Sequence, residues 1–190
     1  MITKNNNNKN IIEHTDEKRQ KGVKKESNEM YDFDTVQIYV ILHLKKAGVD
    51  YAKMMAKLTG LQLEEINKAI SGLVELGILE RDSGSAIKKS KARFKKAHEV
   101  HKHHTYYRLT RKGTIFARKI DIDWLREYFR RVAGNDVMPA ILELSQKGKL
   151  ESKREFEEEL RELGFLTEKG RRTKFFQAFC YVSGLDSSEA

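Results

Sequence analysis

Three glycines, Gly48, Gly60 and Gly77, each close a short run of apolar residues at helical spacing. This punctuation limits the first half of the chain to three short helices joined by tight turns. Asp34 and Gln37 form a D-x-x-Q capping pattern, Phe33 is placed to staple onto Ile38, and Val40, Ile41 and Leu44 keep the helical period. Asp50 is expected to cap the second helix, with Val49 stapling to Met54. The third helix, residues 62–76, has Glu65 at N3, Leu61 set against Ile66, and a stripe of Ile66, Ile70, Leu73 and Leu76 expected to be buried. A turn read as four residues long between the second and third helices makes a helix-turn-helix.

Beyond Gly77 the pattern changes. Ile78–Arg81 and Thr105–Leu109 read as two strands, with a long insertion, 82–104, between them. Thr110 then caps a fourth helix reaching about Ile120. Two strands after a helix-turn-helix form a wing. The 121–190 region reads as helical again. Trp124, Leu125, Tyr128 and Phe129 mark one amphipathic segment, and Asn135 is expected to cap the next, with Pro139 in its first turn and Gly148 after its end. Ser152 with Glu155 is expected to cap a third, ended by Gly164, and Thr167 a last one carrying Phe175, Phe176 and Phe179. The expected fold is mainly α with a small β-wing (α+β): a winged helix-turn-helix domain at 31–120 followed by a helical C-terminal region at 121–190. Residues 1–30 offer only Ile11, Ile12 and Val23 to bury and read as a disordered polar tail.

Charge separates these regions. Residues 81–120 carry 13 basic and 2 acidic side chains, more positive excess than the +9 of all 190 residues, while the flanking stretches are near neutral. Such a concentration is the footprint of an element that binds polyanions. Inside the insertion, Ile87, Ser90, Phe94, Ala97 and His101 share one helical face, leaving Lys88, Lys89, Lys91, Arg93, Lys95 and Lys96 to point outward. Only Ile87 and Phe94 are large and apolar on that face, too little for a membrane surface.

The run Thr59-Gly60-Leu61, Ile66-Asn67-Lys68-Ala69-Ile70, Leu76-Gly77-Ile78-Leu79 and Tyr107-Arg108-Leu109-Thr110-Arg111-Lys112-Gly113 resembles the winged-helix DNA-binding domain. It is similar to regulators of the multiple-antibiotic-resistance type. Glu99-Val100-His101-Lys102-His103-His104-Thr105-Tyr106-Tyr107 resembles an uncharacterised archaeal winged-helix family of unknown function. The resemblance implies a recognition helix at 62–76, with double-stranded DNA as partner and transcriptional regulation as role. A shorter echo, Arg161–Gly170, looks like Val74–Leu79 joined to Leu109–Gly113 with the wing deleted. It has two readings, a degenerate second winged helix or chance recurrence of helix-end chemistry, and the second is favoured here.

The residues expected to meet DNA follow. Asn67 is suited to adenine, Lys68 to guanine or phosphate, and Gln62 and Ser71 to polar base edges or backbone. Lys53 and Lys57 lie one turn apart and suit phosphates, as do Lys102, Arg108 and the six cations of the insertion. Glu64 and Glu65 fit a helix N-terminus but repel phosphates, which favours a protein-interaction module as the first alternative. The charge alone does not separate DNA from structured RNA, the second alternative. No metal is expected at His98, His101, His103 and His104, which lack a matched cysteine pair, and no cofactor is expected.

Catalysis finds no support, because phosphate loops, nucleophile elbows and metalloprotease motifs are missing from the sequence. Cys180, the single cysteine, sits among Phe176, Phe179 and Val182 as a core filler and fits a reducing cytoplasm. No apolar run is long enough to span a bilayer. The C-terminal region holds more aromatics than a satellite helix needs. Any homodimer is therefore expected to form through it, and deletion of residues 121–190 to leave a soluble monomer with weakened DNA binding.

Overall fold

The chain is described by a computed structural model covering residues 32–82 and 104–185. The expected tail at 1–30 and most of the basic insertion lie outside the described residues. Helix α1 (Thr35–Ala47) starts where the capping pattern requires: the Gln37 N–H donates to Asp34 at 2.7 Å, and the Asp34 N–H to the Gln37 side chain at 3.0 Å. It is buried along nearly its whole length, with Ile38, Tyr39, Val40 and Ile41 fully enclosed, so it forms the axis of the core. Gly48, at φ 81°, ends it and donates to the Leu44 carbonyl at 2.8 Å. A side chain is strained in that left-handed region, which explains the glycine.

A strand that the sequence pattern does not show comes next. β1 (Val49–Tyr51) runs straight into α2 (Ala52–Thr59). Asp50 is therefore in a strand and caps nothing; Tyr51 stands at the helix N-cap without a side-chain bond. The Asp50 carboxylate turns inward instead. One oxygen lies 2.9 Å from His43 Nε2 and the other accepts the Tyr51 N–H at 2.9 Å, while the Tyr39 hydroxyl meets His43 Nδ1 at 3.3 Å. This buried chain ties α1 to β1, and every member has a partner, as buried polar groups require. The turn to α3 (Leu63–Glu75) is three residues, Gly60 to Gln62, rather than four. Ile66, Ile70 and Leu73 are buried as expected, but Leu76, beyond the last helical turn, is 39% exposed.

β2 (Leu79–Arg81) and β3 (Tyr106–Leu109) pair antiparallel, with Leu79 opposite Leu109, and β1 pairs with the other side of β3. The sheet order is β1-β3-β2, so the described residues are mainly helical with a small β-wing. Thr110 caps α4 (Arg111–Lys119) by accepting the Gly113 N–H at 3.0 Å, and its own hydroxyl donates to the Gly77 carbonyl at 2.7 Å.

The C-terminal half departs from several expectations. α5 (Ile122–Ala133) is capped by Asp121, and α6 (Met138–Lys147) begins after Val137 rather than being capped by Asn135, whose amide donates to Glu159 at 2.9 Å. Ser152 and Glu155 form no capping box: the Ser152 hydroxyl donates to Glu143 at 2.9 Å, ahead of a 3-10 turn (Arg154–Phe156) and α7 (Glu157–Glu162). Thr167 does not cap the last helix either. It closes a hairpin turn with Arg171, and Thr173 caps α8 (Lys174–Ser183).

These corrections expose a repeat. Lys149 bridges Arg171 and Leu166 bridges Arg172, both antiparallel, which reproduces the β1-β3-β2 order around the 171–172 strand. α6 ends at Gly148 (φ 74°), which donates to Leu144 at 2.9 Å as Gly48 does to Leu44. The Thr173 hydroxyl donates to Gly164 at 2.7 Å and its N–H to Phe165 at 2.9 Å; Thr110 makes the same pair of bonds to Gly77 and Ile78. The first half of the echo, Arg161–Leu166, thus belongs to a repeat of topology, but its second half does not: the counterpart of Thr110 is Thr173 rather than Thr167, the wing is shortened to residues 166–172 rather than deleted, and the counterpart of α2 is reduced to the 3-10 turn. The repeats share one core. Phe165, Phe175, Phe176 and Phe179 are buried, and Phe175 also meets Tyr39 of α1 edge-on at 5.8 Å. The Tyr128 hydroxyl donates to the Phe33 carbonyl at 3.1 Å. The described residues from Phe33 onward therefore form one compact unit. Five of the aromatics behind the expected homodimer, Phe129, Phe165, Phe175, Phe176 and Phe179, are buried inside the chain, while Trp124 and Phe156 are half-buried, so most of the surplus is spent on the chain's own core.

Candidate nucleic-acid interface

An α-helix that packs one stripe inward presents the opposite residues to solvent. On α3 the inward stripe is Ile66, Ala69, Ile70 and Leu73, so Glu64, Asn67, Lys68, Ser71 and Glu75 lie exposed on the other side. Asn67 and Lys68 are exposed, and the Ser71 hydroxyl donates to Glu75 at 3.4 Å. The Gln62 N–H donates to the Glu65 carboxylate at 2.8 Å, which accounts for Glu65 as a helix-start residue. α2 packs against α3 and carries Lys53 and Lys57, both exposed. The face that results is polar and mixed in charge. Leu63, Val74 and Leu76 add exposed apolar surface at its two ends, at 40%, 38% and 39% exposure.

The wing strands behave differently from the helix. Arg108 on β3 does not stand free: its guanidinium lies 2.8 Å from Glu80 and 3.7 Å from Asp82, across the strand pair. Lys88, Lys89, Lys91, Arg93, Lys95, Lys96 and Lys102 lie outside the described residues, as do His98, His101 and His103. His104 stacks on Tyr51, ring centroids 4.4 Å apart and nearly parallel, so it fastens the end of the insertion to β1. Among the described residues, no group of three or more His, Cys, Asp or Glu side chains is arranged to hold a metal. Likewise, no helix there is long and apolar enough to cross a membrane.

Sequence reasoning missed the buried His43–Asp50 pair. The signal was a histidine interrupting an apolar helix. His43 and Tyr39 also line a small cavity of about 250 Å³, together with Tyr181 and Val182 of α8. Burial, and then the neighbouring Asp50 charge, push the Tyr39 hydroxyl well above the usual tyrosine range, so it stays a neutral hydrogen-bonding group.

The chain has no match among curated proteins. Residues 28–120, which hold the whole of the α2–α3 face and the three-stranded sheet, match the model of a family described as an uncharacterized protein conserved in archaea (DUF2250).

Proposed function

We propose that the protein binds double-stranded DNA as a winged-helix transcriptional regulator, reading sequence with α3 and drawing affinity from the basic segment 82–104. The observation that carries this reading is the pairing of an open polar helix face with a β2–β3 wing whose connecting residues hold most of the chain's positive excess. In that arrangement α3 enters the major groove, where Asn67 and Lys68 meet base edges, and Lys53 and Lys57 meet the backbone.

A second reading has its own support. Leu63, Val74 and Leu76, exposed beside Glu64 and Glu75, make α3 a workable docking face for a partner protein. Binding-site selection on random duplexes separates the two. The DNA reading expects a defined motif for the wild type and an altered one for Asn67→Ala and Lys68→Ala, each base contact being worth about 1–3 kcal/mol of discrimination. Recovery of no duplex, or of one motif for all three proteins, would remove α3 as the reader.

A further inference from the structure

The second repeat encloses a cleft of about 810 Å³, bounded by the end of α6, the 3-10 turn, α7 and the 166–172 hairpin. Its walls carry seven basic and two acidic side chains. Three of the cations are already paired: Lys147 lies 3.1 Å from Glu143 and 2.9 Å from Glu151, Lys149 reaches Glu151 at 3.0 Å, and Arg161 meets Glu157 at 2.7 Å. The other four, Arg154, Lys169, Arg171 and Arg172, are exposed and form no ion pair among the described residues. Residues 147–172 hold eight basic and seven acidic side chains, so nothing in the linear sequence marks this stretch as cationic. Folding does the sorting, turning the cations into the cleft and most of the carboxylates away from it.

Like charges gathered this way repel one another, and an anion in the cleft relieves that repulsion. Three of the four unpaired cations are arginines, whose planar forks suit the paired oxygens of a phosphate. The cleft's one large apolar residue, Leu150, is buried, which leaves nothing to dip into a lipid surface. Position in the repeat narrows the ligand further. The 166–172 hairpin is the counterpart of β2–β3, and α7 is the counterpart of α3. We propose that this cleft binds the phosphodiester backbone of the duplex engaged by the first repeat, so that a single chain supplies two nucleic-acid-binding units. This rests on the reading of the first repeat as a DNA-binding element. Phosphate binding of this kind positions the protein and carries no base information.

The test is the salt dependence of duplex binding by the full chain and by a variant with Arg154→Gln, Lys169→Gln, Arg171→Gln and Arg172→Gln. Each cation set against a phosphate contributes about 0.9 to the slope of log K against log salt on duplex DNA. If three or four of these cations engage phosphates, the slope should fall by roughly 3 in the variant, and affinity at about 0.1 M salt should drop more than tenfold on every sequence. Arg172 packs over Gly148, so the variant's melting temperature is checked first. If it melts early, the Arg154→Gln/Lys169→Gln pair, which leaves the hairpin bridges intact, should still lower the slope by about 2. A wild type that binds duplex beside variants keeping its slope overturns the cleft alone. A wild type that binds no duplex overturns the DNA reading of the first repeat, and the cleft proposal with it.

Discussion

Phe175→Ala probes whether the two repeats stand or fall together. The ring is 2% exposed and lies within 5.8 Å of Tyr39 and Phe165 and 6.2 Å of Phe179, centroid to centroid. It thus joins α8 of one repeat to α1 of the other. A buried phenylalanine removes at least roughly 150 Å² from water, and at about 25 cal/mol per Å² that is about 4 kcal/mol. Direct measurements of Phe→Ala in other cores fall at about 3–5 kcal/mol, because the cavity left behind adds to the transfer cost. For a unit of this size each kcal/mol moves the melting temperature by about 2–4 °C, so the expected fall is about 8–16 °C. Calorimetry should show one transition before and after, lowered as a whole, since α1 loses cover at the same moment as α8. The reasoning is refuted by a shift under about 3 °C, or by two transitions of which one stays at the wild-type temperature. The same packing bears on truncation. Removing residues 121–190 would strip Phe175 from Tyr39 and Tyr128 from Phe33, so the remaining chain should melt early or aggregate rather than persist as a soluble monomer.

Gly113→Ala should destabilise the protein by about 1–3 kcal/mol, although helix propensity alone favours alanine by about 1 kcal/mol. A Cβ there would press into the Ile78 carbonyl oxygen and come within 3.2 Å of Ile78 Cγ2, while that oxygen is pinned by the Thr110 N–H at 3.0 Å. An unchanged or raised melting temperature would count against this packing. Glu143 gives a pH prediction. Burial pushes its pKa up, but hydrogen bonds from the Ser152 hydroxyl, Lys147 and the Ser152 N–H outweigh that and hold it down at about 2, against an ordinary 4.5. Its folded pKa is depressed, so the stability it adds is fully present above pH 4.5 and is lost as pH falls towards 2. Melting temperatures of wild type and Glu143→Gln should differ at neutral pH and converge across that window; parallel curves would refute the linkage.

Elements closed by local chemistry were legible in the sequence, and elements closed by distant partners were not. The Asp34–Gln37 box and the Thr110 cap join residues three apart, and a linear pattern records such bonds in full. Asp50 carries the same side chain as a helix cap, yet its partner is His43 on the preceding helix, and β1 exists because β3 lies more than fifty residues away to pair with it. Thr167 and Thr173 present the same problem. Both threonines stand upstream of the Phe175–Phe179 run, and only the bridge of Leu166 to Arg172 decides that the first turns a hairpin while the second caps a helix. At the candidate interface, the 3.6-residue period identified the exposed side of α3 correctly. It was silent on Arg108, whose cation is occupied by a cross-strand glutamate. Segment charge failed for a related reason at residues 147–172, where acids and bases nearly balance along the chain but seven of the eight bases line one cleft with only two of the acids.

The repeat showed in the sequence only as a short echo, because it preserves tasks while changing residues. In the first repeat the chain leaving α1 is fastened by His43, which faces Asp50 at 2.9 Å inside the core. In the second, the same position before the glycine is Glu143, which accepts from Ser152 N–H at 3.2 Å and Lys153 N–H at 3.2 Å to fasten the chain leaving α6. An imidazole against a carboxylate and a carboxylate against amide N–H groups are unlike in sequence, yet both satisfy a buried polar atom while fixing the strand that follows. Helix α2 is reduced in the second repeat to the 3-10 turn, and the wing connection is far shorter in sequence. What the second keeps is the helix ends, the threonine bonds and the sheet order, which are the features that set the core. A unit trimmed in this way is able to stack on its neighbour through Phe175 and still hold a basic cleft open to solvent. One chain then presents two surfaces built on the same topology, an arrangement that a symmetric dimer reaches by pairing two copies.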